Sequence, residues 1–182
     1  RYPVGSNWSS AAAYISGQFT LNDKLNLISG LRYNHIFTFT DFSGNNVFFD
    51  FPFEESRSDF GNLIGSLGIN YNATKTVELK ANASTASSAP HIHHIGKEFE
   101  SGDGDIVVPN TNLKAEYAYN LDAGVTLNFD DVFTFDGEVF YTLLENALVR
   151  RDYELNGSST IIYQGEETNV QAIQNVGSAT IK

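Results

Sequence analysis

The feature that most constrains this chain is an alternation of apolar and polar side chains with a period of two residues. The segment 9–40 shows it on both sides of one tight turn at 21–24. From Leu25 onward, odd-numbered positions are mostly Leu, Tyr and Phe, whereas even-numbered positions are mostly polar or small. Because successive side chains of a β-strand point to opposite faces, this pattern predicts an antiparallel hairpin with one apolar and one polar face.

The same alternation recurs along the chain and predicts seven strands that pair with their neighbours in order. They are expected near 10–20, 25–39, 60–72, 76–87, 116–129, 132–149 and 170–182. The last segment alternates poorly, which predicts a β-bulge around 175–177. Helix is expected only as one short turn near the sequence HIHHIGKEF.

The connections between these strands alternate strictly in length. Short turns occupy 21–24, 72–76 and 129–132, and long loops occupy 41–59, 87–115 and 151–169. Transmembrane β-barrels have this arrangement, with short periplasmic turns, long extracellular loops, an apolar outer face and a polar lumen. The sequence therefore predicts an all-β fold, an antiparallel transmembrane β-barrel segment in the cell outer membrane, with its apolar side chains facing lipid.

The composition and the strand count narrow the class of protein further. A net charge of −11 disfavours nucleic acid as a partner. No nucleophile and base stand in a recognisable catalytic arrangement, so the chain is not expected to be an enzyme. Bacterial barrels have an even number of strands, and an open sheet in lipid leaves two unpaired edges. Residues 1–182 are therefore expected to form part of a larger barrel.

The polar faces of the predicted strands carry several charged side chains. A water-filled lumen accommodates such groups, either as contacts for a domain inside the barrel or as ion pairs within the wall; the sequence favours neither. The predicted lumen-lining residues are Arg32, Glu78, Lys80, Glu116, Asp122 and Glu138.

Several segments, in their order and spacing, resemble the barrel of TonB-dependent outer-membrane receptors of the Bacteroidetes type, in its C-terminal part. The segment 87–90 reads Ser-Ser-Ala-Pro where the family has Phe-Arg-Ala-Pro, and 110–116 reads Asn-Thr-Asn-Leu-Lys-Ala-Glu where the family has Asn-Pro-Asn-Leu-Lys-Pro-Glu. The segments 30–34, 141–152 and 170–177 also resemble family strands. The departures at the Phe, Arg and Pro positions put in doubt whatever those side chains do in the family.

This resemblance implies a 22-stranded barrel closed by a plug domain that lies upstream of residue 1. It also implies TonB, outer-membrane lipid and lipopolysaccharide as partners, together with the remaining barrel strands and, in some members, a surface lipoprotein. Haem receptors of the family use a His between the two motifs as an iron ligand. The resemblance therefore implies His91, His93 and His94 as candidate ligands of haem iron or another metal, with Asn110 and Asn112 as candidate ligand-binding residues.

Three functions remain open at this stage. The first is uptake of an iron chelate or haem, with the ligand as cargo and no built-in cofactor. The second is uptake of glycans or peptides by the same fold beneath a lipoprotein lid. The third, from another class, is a soluble all-β binding module of the cell surface. For the histidines the plainer interpretation, as solvated loop residues or as contacts of the plug, is the one that the sequence favours.

Overall fold

The computed structural model describes residues 5–44, 51–95, 99–100, 104–129 and 132–182. Its elements, in chain order, are β1 (Asn7–Asn22), β2 (Leu25–Asp41), β3 (Glu55–Asn72), β4 (Val77–Ser88), α1 (Ile92–Ile95), β5 (Phe99–Glu100), β6 (Ile106–Val107), β7 (Glu116–Phe129), β8 (Phe133–Glu145), β9 (Leu148–Asp152), β10 (Thr160–Tyr163), β11 (Glu166–Asn175) and β12 (Ser178–Ile181). No helix in the described ranges has the length and apolar character to cross a bilayer.

Seven of these strands form one antiparallel sheet, here called the wall. Their order is β1-β2-β3-β4-β7-β8-β12, which confirms the predicted pairing of neighbours in chain order. The two outermost strands, β1 and β12, do not pair with each other, so the wall is an open sheet rather than a closed barrel. The fold is all-β and antiparallel, as the alternation predicts.

The register explains why the wall has two chemically distinct faces. From β1 to β8, even-numbered residues stand opposite even-numbered residues, as in Arg32↔Ile64 and Asp122↔Phe140, except at the irregular pair Asn22↔Leu25 beside the first turn. The even-numbered positions therefore share one face across six strands, and this is the polar face. The odd-numbered face exposes large apolar side chains, among them Leu63 (60%), Leu121 (60%) and Val139 (72%).

The hairpin that ends the wall corrects two sequence predictions. The strand expected at 132–149 leaves the wall after Glu145, and the strand expected at 170–182 joins the wall only from Ser178. The bulge expected at 175–177 is instead a bend in both strands of the hairpin. Asn146 has a φ of 56° there, a left-handed conformation that L-residues other than Asn and Asp rarely adopt.

Across this bend the pairing register does not shift. The last wall pair is Glu145↔Ser178, and the next pair beyond the bend is Leu148↔Asn175, three residues further along both strands. Strands β9 and β11 are therefore the outer half of the same hairpin, which we call the bent hairpin. The bend carries this outer half out of the wall and into a second sheet.

The second sheet, here called the cap, corrects the prediction that 151–169 is a loop. It contains β5, β6, β9, β10 and β11, with β11 pairing β9, β10 and β6. Two tight turns make these short strands possible, because Asn156 and Gly157, and Gln164 and Gly165, all have positive φ angles, the signature of hairpin turns of type I′. The cap has its own apolar core, built from Phe51, Ile106, Val108, Leu155, Val170 and Ala172.

Loop residues cover the polar face of the wall at its outer end. Thr38 and Thr40, both on the even-numbered face, are only 1% exposed, whereas Phe37 on the odd-numbered face is 38% exposed. Phe42, which follows β2, is fully buried, and its ring lies 5.0 Å from that of Phe53. The loops at this end are thus folded over the polar face rather than extended away from the sheet.

Candidate functional site

The three predicted histidines lie in the connection between β4 and β7, at the end of the wall that the loops cover. A single helical turn, α1, follows Pro90, and the carbonyl of His91 accepts hydrogen bonds from the N–H groups of His94 (2.8 Å) and Ile95 (3.1 Å). Ile95 is 1% exposed and anchors the turn in the apolar interior. The predicted short helical turn is therefore present, and its hydrogen bonds fix the main-chain positions of the histidines.

The turn brings two of the three imidazoles together. The rings of His91 and His94 meet edge to face, with their centroids 6.1 Å apart. The main-chain N–H of His91 donates a long hydrogen bond of 3.4 Å to Nδ1 of His94. His93 is exposed on the outside of the turn. The site is thus a His91–His94 pair with His93 beside it rather than three converging ligands.

Trp8 is the third ring of this site, and sequence reasoning missed it. Its ring centroid lies 5.8 Å from that of His91, although Trp8 is in β1 and His91 lies in the connection between β4 and β7. The chain has only one Trp, and it occupies an even-numbered position on the otherwise polar face of β1. That position was a usable signal, but the sequence alone does not bring it to His91. The contact means that the connection carrying α1 crosses the polar face to reach the first strand.

The electrostatics of the pair favour uncharged imidazole. Burial lowers the pKa of His94, and repulsion from a protonated His91 lowers it further, with a smaller contribution from His93. The carboxylate of Glu116 acts in the opposite direction without reversing the shift. His94 is therefore neutral at neutral pH, the form in which an imidazole can bind a metal.

The hydrogen bond of His94 separates the chemical roles of the two rings. Because Nδ1 of His94 accepts this 3.4 Å hydrogen bond, the contact favours the neutral tautomer that carries its proton on Nε2, and that nitrogen then has no free lone pair. His91 is exposed, and within the described ranges its ring nitrogens make no hydrogen bond. Of the two, His91 is the ring with a lone pair available to an incoming ligand.

A multi-ligand metal centre is not formed by these residues. Among the described residues, no three His, Asp or Glu side chains lie close enough together to hold a metal ion. A single axial bond to haem iron needs only one imidazole, so this finding bears on bare metal ions and not on haem.

The two predicted asparagines have different positions. Asn110 is 6% exposed; its amide donates to the carbonyl of Ile173 (2.8 Å), and its Oδ1 accepts the N–H of Asn112 (3.0 Å). Asn110 therefore holds the segment against β11. Asn112 is exposed, and with Asn110 and Lys114 it lines a polar cleft at the bend of the bent hairpin.

The six residues predicted to line a lumen all lie on the polar face of the wall. Several of them bond to their neighbours: Asn82 and Asn120 donate to Oδ2 of Asp122 (2.9 and 2.8 Å), and Lys80 lies 3.7 Å from Glu78. The remaining contacts are Arg32 Nε to Asn34 (2.6 Å) and the N–H of Leu148 to Glu116 (2.8 Å), and Glu138 lines a cleft with Lys80 and Asp122. Several of the predicted lumen-lining side chains are thus held by hydrogen bonds or ion pairs to neighbouring residues of the same face.

The family described as "TonB dependent receptor-like, beta-barrel" matches the chain over residues 1–182. No curated protein matches the chain.

Solved structures match the fold along nearly the whole chain. The Serratia marcescens hemophore receptor HasR, in complex with its hemophore HasA and heme, is 15% identical, with a TM-score of 0.73 over 96% of this chain and 30% of that chain. The copper transporter OprC is 14% identical, with a TM-score of 0.68 over 94% of this chain and 24% of that chain. The FrpB iron transporter from Neisseria meningitidis is 20% identical, with a TM-score of 0.59 over 95% of this chain and 22% of that chain. The chain thus spans less than a third of each of these structures.

Proposed function

This chain belongs to the TonB-dependent receptor β-barrel family, and on that premise we propose that it forms part of a receptor that imports haem or a ferric chelate. Barrels of this family are outer-membrane proteins. In the proposed arrangement the apolar face of the wall contacts lipid, the polar face contacts the plug domain, and the cap lies outside the cell. TonB and the remaining strands of the barrel complete the transporter.

The observation that carries the choice of ligand is the ring cluster of His91, His94 and Trp8. It combines an exposed imidazole with an available lone pair, a neutral neighbour and a large aromatic face, all at the covered end of the wall. Imidazole is a common axial ligand of haem iron, and an aromatic ring can pack against a planar macrocycle. The similar structures named for heme, iron and copper support the same class of cargo.

Within the cluster we assign the iron-binding role to His91. His94 is the poorer ligand because its Nδ1 is already engaged and its Nε2 carries the proton. His94 instead acts as a positioning residue, since it holds the main chain of His91 at the start of α1. Trp8 limits the directions from which a ligand reaches the His91 ring.

The test uses the full-length receptor with His91→Ala, and with His91, His93 and His94 all changed to Ala. We expect haem affinity at pH 7.5 to fall by on the order of tenfold or more, about 1.4 kcal/mol, with most of the loss already present in His91→Ala. The visible spectrum of bound ferric haem should change with it, because the axial ligand is lost.

His35→Ala is the matched control. His35 lies on the apolar face of the wall, where its Nε2 is 3.4 Å from a carboxylate oxygen of Asp59. The His35→Ala substitution should therefore leave haem binding unchanged. Unchanged affinity of the triple variant for both haem and ferric chelates would leave the histidines as plain loop residues. Glycan or peptide uptake would then be the better proposal.

A further inference from the structure

A polar cleft with a volume of about 400 Å³ lies at the bend of the bent hairpin. Asn112, Lys114, Asn146, Gln174 and Asn175 line it, together with Asn110 and the main-chain region at Val176 and Gly177. The lining contains one cation, several amides and no carboxylate. Such a surface offers N–H donors and a positive charge to a ligand.

This charge balance is unusual for the chain. The sequence has 22 acidic residues against 11 Lys and Arg. In the cleft on the polar face of the wall, the single cation Lys80 lies among Asp122, Asp136 and Glu138, which more than balance its charge. In the described part of the chain, the ammonium of Lys114 pairs with no carboxylate. The cleft at the bend is therefore locally positive on an acidic protein.

The main chain of Lys114 is held in place by one side chain. Oδ1 of Asn175 accepts the N–H of Lys114 (2.7 Å), and Nδ2 of Asn175 donates to the carbonyl of Lys114 (3.0 Å). The same Nδ2 also donates to the carbonyl of Asn146 (2.7 Å), which fixes the cleft to the bend. Because both polar groups of the Lys114 main chain are used, the base of its side chain is preorganised while the ammonium stays free.

Asn112 stands beside Lys114 on the open side of the same segment. Burial alternates along 112–115, with Asn112 and Lys114 exposed and Leu113 and Ala115 buried. In extended backbone this alternation places the two exposed side chains on one face. The Asn112 side chain makes no hydrogen bond to any residue in the described ranges. The nearby carboxylate of Glu116 does not line the cleft, and it accepts the N–H of Leu148.

We propose that Lys114 and Asn112 form a binding subsite for an oxygen anion, a carboxylate or phosphate group, in the cleft at the bend of the hairpin. Lys114 supplies the charge, Asn112 supplies an amide donor, and Asn175 is a positioning residue that holds Lys114. Carboxylates belong to many organic cargoes and phosphates to lipopolysaccharide, so the chemistry of the site is shared by two sources. The subsite stands on the geometry of the cleft and does not depend on the assignment of the histidines.

The experiment measures binding of metal-free citrate and, separately, of purified lipopolysaccharide to the full-length receptor by calorimetry in detergent. Lys114→Gln should weaken binding of the responsive probe by about tenfold or more, and Asn112→Ala by a few-fold. Added salt should weaken wild-type binding, since the interaction is between opposite charges. Lys114→Gln keeps all main-chain hydrogen bonds to Asn175, so the variant is expected to fold normally.

Lys75→Gln is the control, because Lys75 lies in the turn between β3 and β4 at the opposite end of the wall. If Lys114→Gln loses citrate binding and Lys75→Gln does not, the result supports a subsite for a carboxylate cargo. Loss of lipopolysaccharide binding alone supports the same subsite with a lipid phosphate as its ligand. Binding of neither probe by the wild type, equal affinity in Lys114→Gln, or an equal loss with Lys75→Gln would overturn the proposal.

Discussion

At the scale of single residues, the site depends on which proton each imidazole carries. The pKa of His94 is lowered chiefly by burial and further by the proximity of His91, so the ring is uncharged at neutral pH. The long hydrogen bond from the His91 main chain favours the tautomer with the proton on Nε2. Residue type alone made the three histidines equivalent candidates. Their local surroundings give His91 the free lone pair and His94 a structural role.

The lowered pKa of His94 predicts that α1 loosens in acid. The opened loop binds a proton more readily than the folded loop, so the stability that neutral His94 contributes is complete above about pH 6.5, the ordinary pKa of imidazole, and is lost as the pH falls below it. Hydrogen exchange at the N–H groups of His94 and Ile95, corrected for intrinsic rates, should therefore be faster at pH 5.5 than at pH 7.5.

His94→Gln is the control for this effect, since Gln can still accept a hydrogen bond but does not titrate. In this variant the difference in exchange between the two pH values should largely disappear. If the variant keeps the full pH dependence, then His94 is not the group responsible.

At the scale of elements, the strand register decides which side chains share a face of the wall, and the proposed function assigns the apolar face to lipid. Val139 lies near the middle of β8 on the apolar face, and Glu138, the residue before it, lies on the polar face at the same depth. Both side chains are exposed in the described structure. Glu138 and Val139 are thus at the same depth in the wall and differ only in which of its two faces they are on.

This pair provides a direct test of the assigned faces. Val139→Arg should cost about 2–4 kcal/mol, as expected for Arg on the lipid face near the bilayer midplane, and should reduce barrel assembly in the outer membrane. Glu138→Arg should assemble at close to the wild-type yield. The measurement is the amount of folded, heat-modifiable barrel in outer-membrane fractions. Equal yields for the two variants would mean that the faces are wrongly assigned.

The bent hairpin is the element that joins the wall to the cap. Its two strands keep one register through the bend, where the N–H of Asn146 bonds the carbonyl of Gly177 and the N–H of Val176 bonds the carbonyl of Ala147, at 2.9 and 2.8 Å. These bonds keep the main chain satisfied although both strands change direction. The bend therefore changes the partner sheet of the hairpin at little cost in hydrogen bonding.

At the scale of the whole molecule, the described residues form an open wall with a compact cap at the end that carries the long connections. Among the described residues, the large side chains of the odd-numbered face of the wall, such as Ile15 at 72% and Leu63 at 60%, are exposed and form no buried cluster. The packed apolar core lies in the cap. Under the proposed function this division has a physical reason, since lipid would take the place of a core partner for the apolar face of the wall.

The exposed apolar face predicts how the full-length protein behaves in solution. It should be recovered with the outer-membrane fraction and should remain monodisperse only in detergent, because so large an apolar surface associates in water. Size-exclusion chromatography with and without detergent tests this expectation. A monodisperse protein in plain buffer would instead support the soluble surface module.

Much of the wall follows from the sequence alone. The strands β1, β2 and β7 and the alternation of their side chains between two faces are confirmed, because alternation is a local property of extended backbone that does not depend on distant residues. For the strand pairs joined by short turns, β1 with β2, β3 with β4 and β7 with β8, the pairing also follows from the sequence, because a short turn leaves the two strands no other partner. The sequence also places the histidines correctly in the connection between β4 and β7, because the two strands on either side of that connection are predicted correctly.

Only the tertiary structure decides what the long connections do. The sequence 151–169 forms strands because β11 finds β9, β10 and β6 at once, and such pairing depends on segments far apart in the chain. Long-range packing also produces three features of the candidate sites: the proximity of Trp8 to His91, the burial of Asn110, and the hydrogen bond between Asn175 and Lys114. Local stereochemistry determines which face of a strand a side chain is on, whereas long-range packing determines which residue it contacts. The candidate sites depend on contacts between distant residues, so only the tertiary structure reveals them.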